Sequence, residues 1–127
     1  MIYGIGIDLT EIQRVEQAWK KNYNFVKRVL TPTELEVFEN YKGQRKAEFI
    51  AGRFSAKESF SKAFGTGIGS AVTFQDLEII PDTVTGKPIF TLYPQAERLE
   101  AQISISHTAT LVMTEVILEK REKIANG

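Results

Sequence analysis

Two acidic side chains in this sequence could do chemistry together, and one of them, Glu58, stands where a charge is hard to accommodate. Glu58 lies inside the stretch Phe49–Gly69, which reads as a helix that is apolar on two sides. At about 100° per residue, Ala47, Ala51, Phe54 and Glu58 fall on one line, and Phe49, Ala56, Phe60, Ala63 and Phe64 on another. A helix covered on both sides is a central one, and an ionised carboxylate there needs a cation or several hydrogen bonds. Asp8 ends the alternating run over residues 2–8, on a face whose other members are Ile2, Gly4 and Gly6. With no side chain in its middle, that face lets another backbone or a ligand come close. Two carboxylates, from a strand end and a central helix, suit magnesium, which takes oxygen ligands and completes its shell with water and substrate phosphates. Arg53, Lys57 and Lys62 would then lie near the same site and balance phosphate charge. The chemistry implied is transfer involving a phosphate or pyrophosphate, not peptide or glycoside hydrolysis.

Each of these features also has a plainer reading. Asp8, with Glu11 three residues later, could cap the first helix. Glu58 could be neutralised by Lys62 in an ordinary i,i+4 pair. His107 shares a face with Ile103 and Ile105 and could be a core side chain with a satisfied ring. The run Gly4-Ile5-Gly6-Ile7-Asp8 lacks the third glycine of a dinucleotide fingerprint and lies inside a strand. Gly65-Thr66-Gly67-Ile68-Gly69 follows a helix and so meets the negative end of its dipole; it reads as a helix stop and a loop.

The elements that must position these residues follow from patterning. After the strand at 2–8, a helix is expected from about Leu9 to Lys21. Thr31-Pro32-Thr33-Glu34 is a helix start, with Thr31 as N-cap, Pro32 in the first turn and Glu34 closing a capping box. That helix is expected to end near Gly43, and the long helix to run from about Gln44 to Phe64 with Gly65 as its stop. Val72 to Ile80 and Pro88 to Tyr93 are strand-like around a turn at residues 82–87. Tyr93-Pro94 opens a short helical piece to about Ala101. Ile103 to Glu119 reads as two strands broken near His107 to Ala109, and Lys120 to Gly127 as a charged, frayed tail. Strands outside a three-helix block give one α+β domain over residues 1–127, with a mostly antiparallel sheet packed on a long central helix and shorter helices.

Composition narrows the function. At 127 residues and 43% hydrophobic, the chain can bury a substantial core. It has no cysteine, so it has neither disulfides nor thiolate metal sites, and its one histidine excludes sites built from several imidazoles. No apolar run reaches about 18 residues, and the opening MIYGIGIDLTE lacks the flanks of a signal peptide; the expectation is a soluble cytoplasmic protein. Sixteen basic and sixteen acidic residues cancel, so no global field points to nucleic acid. Locally, Arg14, Lys20, Lys21, Lys27 and Arg28 outnumber Asp8, Glu11 and Glu16, which offers a basic patch to an acidic partner or a solvated face.

The opening GIGIDLTEIQRV, the block AGRFSAKESFSKAFGTGIG, the TGKP turn and the late SISHT together resemble the holo-acyl-carrier-protein synthase family, the small bacterial 4′-phosphopantetheinyl transferases. The resemblance covers nearly the whole chain in order. It departs at Ala109-Thr110-Leu111, where members often carry charged residues and a tyrosine. It implies the 4′-phosphopantetheinyl transferase fold. The implied activity is transfer of the phosphopantetheine arm of coenzyme A to a serine of apo acyl carrier protein, with release of adenosine 3′,5′-bisphosphate, in support of fatty acid biosynthesis. By the same resemblance Asp8 and Glu58 match magnesium ligands, and Lys62 the lysine beside the pyrophosphate. Arg53 and Lys57 match phosphate contacts, Arg45 a contact to the 3′-phosphate, and His107 the late histidine near the coenzyme. Arg14 and Arg28 match basic positions facing the acidic carrier. The family further implies a homotrimer, with coenzyme bound between neighbouring subunits; the balanced charge and the lack of a long apolar run lead to no expected nucleic-acid or membrane partner.

Three functional readings follow: the transferase, a magnesium-dependent nucleotide or pyrophosphate hydrolase using the same carboxylates, and a non-catalytic module that binds acidic helices through Arg14, Lys21 and Arg28. In the transferase, Asp8, Glu58 and Lys62 would carry the chemistry, with the serine proton passing to Glu58 or to a metal-bound water.

Overall fold

In the computed structural model, which describes residues 1–122, the chain begins with strand β1 (Ile2–Glu11) and helices α1 (Ile12–Lys21), α2 (Asn24–Val29), α3 (Pro32–Asn40) and α4 (Gly43–Phe64). A 3-10 turn (Phe74–Asp76) leads into strands β2 (Glu78–Pro81), β3 (Pro88–Leu92), β4 (Leu99–His107) and β5 (Leu111–Lys120). The strands form two antiparallel sheets, one ordered β1-β5-β4 and one formed by the hairpin β2-β3. This is the α+β architecture expected. Thirteen of the 22 residues of α4 are buried, which makes it the central helix. Its first half packs with α1, α2 and α3 around Ile12, Val26, Leu30, Phe38 and Ile50. Its second half packs with the strands around Phe60, Leu77, Ile79, Leu99 and Val116.

The glycine face of β1 is the contact that fixes the strand on the helix. A Cβ on Gly4 would lie 1.9 Å from the Ala63 carbonyl oxygen, and one on Gly6 1.9 Å from the Ser59 carbonyl oxygen. The next residue on that face, Asp8, meets Ser55. The steps stay in register because two strand residues advance about 6.6 Å and four helix residues about 6 Å. Small residues at 55, 59 and 63 therefore receive positions 8, 6 and 4 in turn.

A buried ion pair locks the helices around α4. Lys57 Nζ lies 2.6 Å from Glu34 Oε1 and donates also to the carbonyls of Val29, at 2.7 Å, and Phe74, at 3.1 Å. Glu34 closes the expected capping box, its Oε1 accepting from Thr31 N, while its Oε2 accepts from Ile79 N. One carboxylate thus ties α3, α4 and β2 together. Burial lowers the Lys57 pKa, and the adjacent Glu34 charge opposes that shift.

Several boundaries differ from the sequence expectation. β1 continues to Glu11 because it pairs with β5 as far as Leu111, so α1 starts at Ile12 rather than near Leu9. Asp8 is therefore inside a strand and caps no helix. α2 was not expected, and α3 ends at Asn40. The α4 limits agree to one residue, and Gly65 ends the helix with φ 95°. Of the stretch 72–80 only Glu78 onward is strand, since Thr73 and Asp76 cap a 3-10 turn first. The helical piece expected from Pro94 is a turn. Gln95 has φ 58°, and its carbonyl accepts from both Arg98 N and Leu99 N, which makes a turn into β4. Lys120 and Arg121 are not a frayed tail: Lys120 ends β5, and Arg121 bonds the carbonyls of Arg98 and Ala96. The rest of the expected tail, residues 123–127, lies outside the described residues.

Candidate active site

Asp8 and Glu58 line one cleft of about 410 Å³, together with Thr10, Glu11, Arg14, Val15, Phe25 and Phe54. Asp8 reaches it from the part of β1 just past the glycines, and Glu58 from the turn of α4 that follows Ser55. The two carboxylates sense one another. Burial raises the Glu58 pKa first and the Asp8 charge raises it further, with Lys62 opposing both. Asp8 Oδ2 accepts from Thr10 Oγ1 at 2.5 Å and from Ser55 Oγ at 2.8 Å. Asp8 Oδ1 accepts from Lys62 Nζ at 3.3 Å, and the same ammonium donates to the Ile7 carbonyl at 3.1 Å. Lys62 thus pairs across to β1, not along its own helix with Glu58.

This donor set could hold a hard divalent cation. It is all oxygen, it opens to a cleft, and a cation between the carboxylates would offset both the burial and the Asp8 charge that raise Glu58. Among the described residues no group of three or more His, Asp or Glu encloses an ion. Magnesium bound here would therefore keep positions for water and phosphate, its usual habit.

The other expected site residues divide into three groups. Arg14 lines the same cleft. Arg28 lies over the Phe25 ring, 5.6 Å from its centroid, in an adjoining depression that shares Ala18 and Phe25 with the cleft. Arg45 and His107 lie towards the other end of α4. Arg45 stacks on Tyr41, and His107 is 3.6 Å from Glu48. Residues 45 and 48 precede Glu58 by about 20 Å and 15 Å of helix. His107 is half exposed, not a core side chain, because it is the last residue of β4, paired with Val112 at the open end of the sheet. Arg53 and Lys57 correct the sequence expectation: both are buried on flanks of α4 turned away from the carboxylates. Arg53 donates to the Ile79 carbonyl and lies over Phe49, and its pKa is lowered to about 10, mainly by burial. Lys57 is spent on Glu34 and two carbonyls. Neither can balance phosphate charge at the Asp8–Glu58 cleft.

The family model described as ACPS, 4′-phosphopantetheinyl transferase superfamily, matches residues 4–117. The chain belongs to this superfamily. A holo-[acyl-carrier-protein] synthase of Ligilactobacillus salivarius is 58% identical over 120 residues, which cover 94% of this chain and 89% of that protein. A crystal structure of a holo-(acyl-carrier-protein) synthase from Bacillus anthracis in complex with CoA (3′,5′-ADP) matches with a TM-score of 0.87 at 44% identity, covering 95% of this chain and 99% of its own. The Helicobacter pylori holo-[acyl-carrier-protein] synthase in complex with coenzyme A matches with a TM-score of 0.79 at 32% identity, covering 91% and 99%.

Within this 4′-phosphopantetheinyl transferase, sequence reasoning missed Thr10 and Ser55, the two hydroxyls that hold Asp8. A signal was present: Ser55, Ser59 and Ala63 recur every fourth residue, matching a strand with glycine at every second one.

Proposed function

We propose that the cleft between β1 and α4 is where this enzyme carries out its reaction. The enzyme transfers the 4′-phosphopantetheine arm of coenzyme A to apo acyl carrier protein. The observation that carries the site assignment is the convergence of Asp8 and Glu58 on one cleft, with Lys62 held at Asp8. Asp8 and Glu58 would hold magnesium, which supplies positive charge to the diphosphate and to the phosphate that leaves. Lys62, half exposed beside Asp8, can swing from that carboxylate to a diphosphate oxygen and adds a second positive charge there. The carrier serine Oγ forms a bond to the β-phosphorus while the bond from that phosphorus to the bridging diphosphate oxygen breaks, releasing adenosine 3′,5′-bisphosphate. The serine proton passes to a base at the same cleft, Glu58 or a water held beside it.

Arg14, Lys21 and Arg28 flank the groove that leads from the cleft past Phe25. Opposite charge on a carrier helix would steer it there and bring its serine over Glu58. Arg45 and His107 are the contacts for the 3′-phosphate end of the coenzyme. Their distance from Glu58 along α4 supports a site completed between copies of the chain. So does the outward face of the three-stranded sheet, where Tyr3, Ile5, Ile7, Leu9 and Met113 are all exposed. A contiguous apolar face of this kind marks an interaction surface, and we assign it to a homotrimer. Among the described residues no helix is long and apolar enough to cross a membrane, and the cytoplasm is the compartment proposed.

Incubation with coenzyme A and magnesium, with and without apo carrier, tests the reaction. Bisphosphate release that requires the carrier is expected. Release at the same rate without it would make the protein a hydrolase of coenzyme A.

A further inference from the structure

Next to Asp8 lies a run of hydroxyls that the reaction as described does not use. Ser55, Ser59 and Thr114 are buried, with Thr114 reaching in from β5 beside β1. Each hydroxyl has one proton to give, and an ionised carboxylate can only accept. The 2.8 Å contact between Ser55 Oγ and Asp8 Oδ2 is therefore donated by Ser55. With that proton committed, the 2.9 Å contact between Ser55 Oγ and Thr114 Oγ1 is donated by Thr114. The 2.6 Å contact between Thr114 Oγ1 and Ser59 Oγ is then donated by Ser59, whose 3.1 Å approach to the Thr114 carbonyl is a second acceptor for the same proton. The hydrogen bonds run one way, from Ser59 through Thr114 and Ser55 to Asp8.

We propose that Ser55 and Thr114, with Ser59 behind them, are positioning residues that fix the Asp8 carboxylate for the metal. They act with Thr10, which donates to the same oxygen at 2.5 Å. Two hydroxyl donors occupy Oδ2 and set the plane of the carboxylate. Oδ1, whose one contact is the movable Lys62, is left for the ion. Aligned donors polarise one another, so the pull on Oδ2 is stronger than that of an isolated serine. The device is anchored on three elements at once, α4 through Ser55 and Ser59, β5 through Thr114 and β1 through Asp8. It therefore fixes the carboxylate to the same helix that carries Glu58. Groups behind a metal ligand commonly orient it in this way. The inference rests on the reading of Asp8 as a metal ligand.

The test uses the full chain and Mn²⁺ alone as probe, with free ion followed by electron paramagnetic resonance and folding checked by thermal melts. S55A and T114V should each weaken Mn²⁺ binding about tenfold. The double variant should bind no more weakly than S55A, because Thr114 acts through Ser55. T114S should restore binding, and D8N should bind more weakly than any of these. If T114V does not fold, S59A takes its place and should weaken binding less than S55A, being two bonds further from the carboxylate. Single variants within about twofold of wild type, or effects that add in full, would overturn the inference while a weak D8N leaves the metal site standing. A D8N protein that binds like wild type would overturn the metal site, and this inference with it.

Discussion

Replacing Gly6 with alanine tests the link between the strand–helix contact and the active site. The new Cβ would sit 1.9 Å from the Ser59 carbonyl oxygen, 2.9 Å from its carbon and 2.8 Å from Ala63 N, all backbone atoms that cannot turn aside. Ordinary contact begins at 3.4 Å, so β1 would have to retreat by about 1.5 Å. Overpacking costs typically about 1–3 kcal/mol, and a clash with helix backbone belongs at the upper end. At about 4 °C per kcal/mol for a domain of this size, the Tm should fall by roughly 12 °C. Asp8 is two residues along the same face. A retreat of that size would break its 2.8 Å bond to Ser55 and draw it away from Glu58. Misplacement by about 1 Å can cost on the order of 100-fold in rate, so kcat should fall by about that factor well below the new Tm. Thermal melts by circular dichroism and a single-turnover transfer assay measure the two effects. Gly69, with open space around it and no positive φ, is the control, and G69A should be close to neutral. A G6A protein that melts within about 2 °C of wild type and turns over normally would refute the reasoning.

Three other outcomes are expected. K57M should destabilise the fold by about 3–5 kcal/mol by stranding the buried Glu34 carboxylate, with less than additive loss in K57M/E34Q and little change in the KM for coenzyme A. A raised KM with undiminished stability would instead put Lys57 on the coenzyme. Glu58 titrates above its ordinary 4.5 in the folded protein, so its contribution to stability is present below that value and lost as pH rises through the raised pKa. In chelator, the stability advantage of E58Q over wild type should therefore grow from pH 4.5 upward and then level off; urea titrations showing a constant difference would count against it. Charge reversal at Arg14 or Arg28 should raise the KM for the carrier more than that for coenzyme A and should mimic added salt. Equal effects on both substrates would remove the docking face.

What the sequence revealed was what local chemistry controls. Thr31, Pro32 and Glu34 specify a helix start within four residues, Gly65 a stop, and the alternation in β1 a face bare enough for α4. Glu58 was legible because an acid in an apolar stripe needs a local explanation, and Asp8 because it ends the bare glycine face of β1. The remainder depended on contacts distant in sequence. Helical periodicity puts Lys57 and Arg53 near Glu58 along the axis, but only Glu34, Phe74 and Ile79 decide that their flanks are covered. For Asp8 the sequence offers a helix cap beside a metal ligand, and the pairing with β5 that carries the strand on to Glu11 removes the cap. His107 alternates with Ile103 and Ile105, yet the end of β4 leaves it in solvent. Ser55 and Thr114 gave no signal singly, since a serine on a helix and a threonine in a strand are unremarkable until the two hydroxyls are 2.9 Å apart.

The most direct measurement is the intact mass of apo acyl carrier protein after incubation with this enzyme, coenzyme A and magnesium. One phosphopantetheine should appear on the carrier serine with wild type, and none with folded D8A or E58A. A carrier modified as fast by either variant would contradict the assignment of the reaction to this pair of carboxylates.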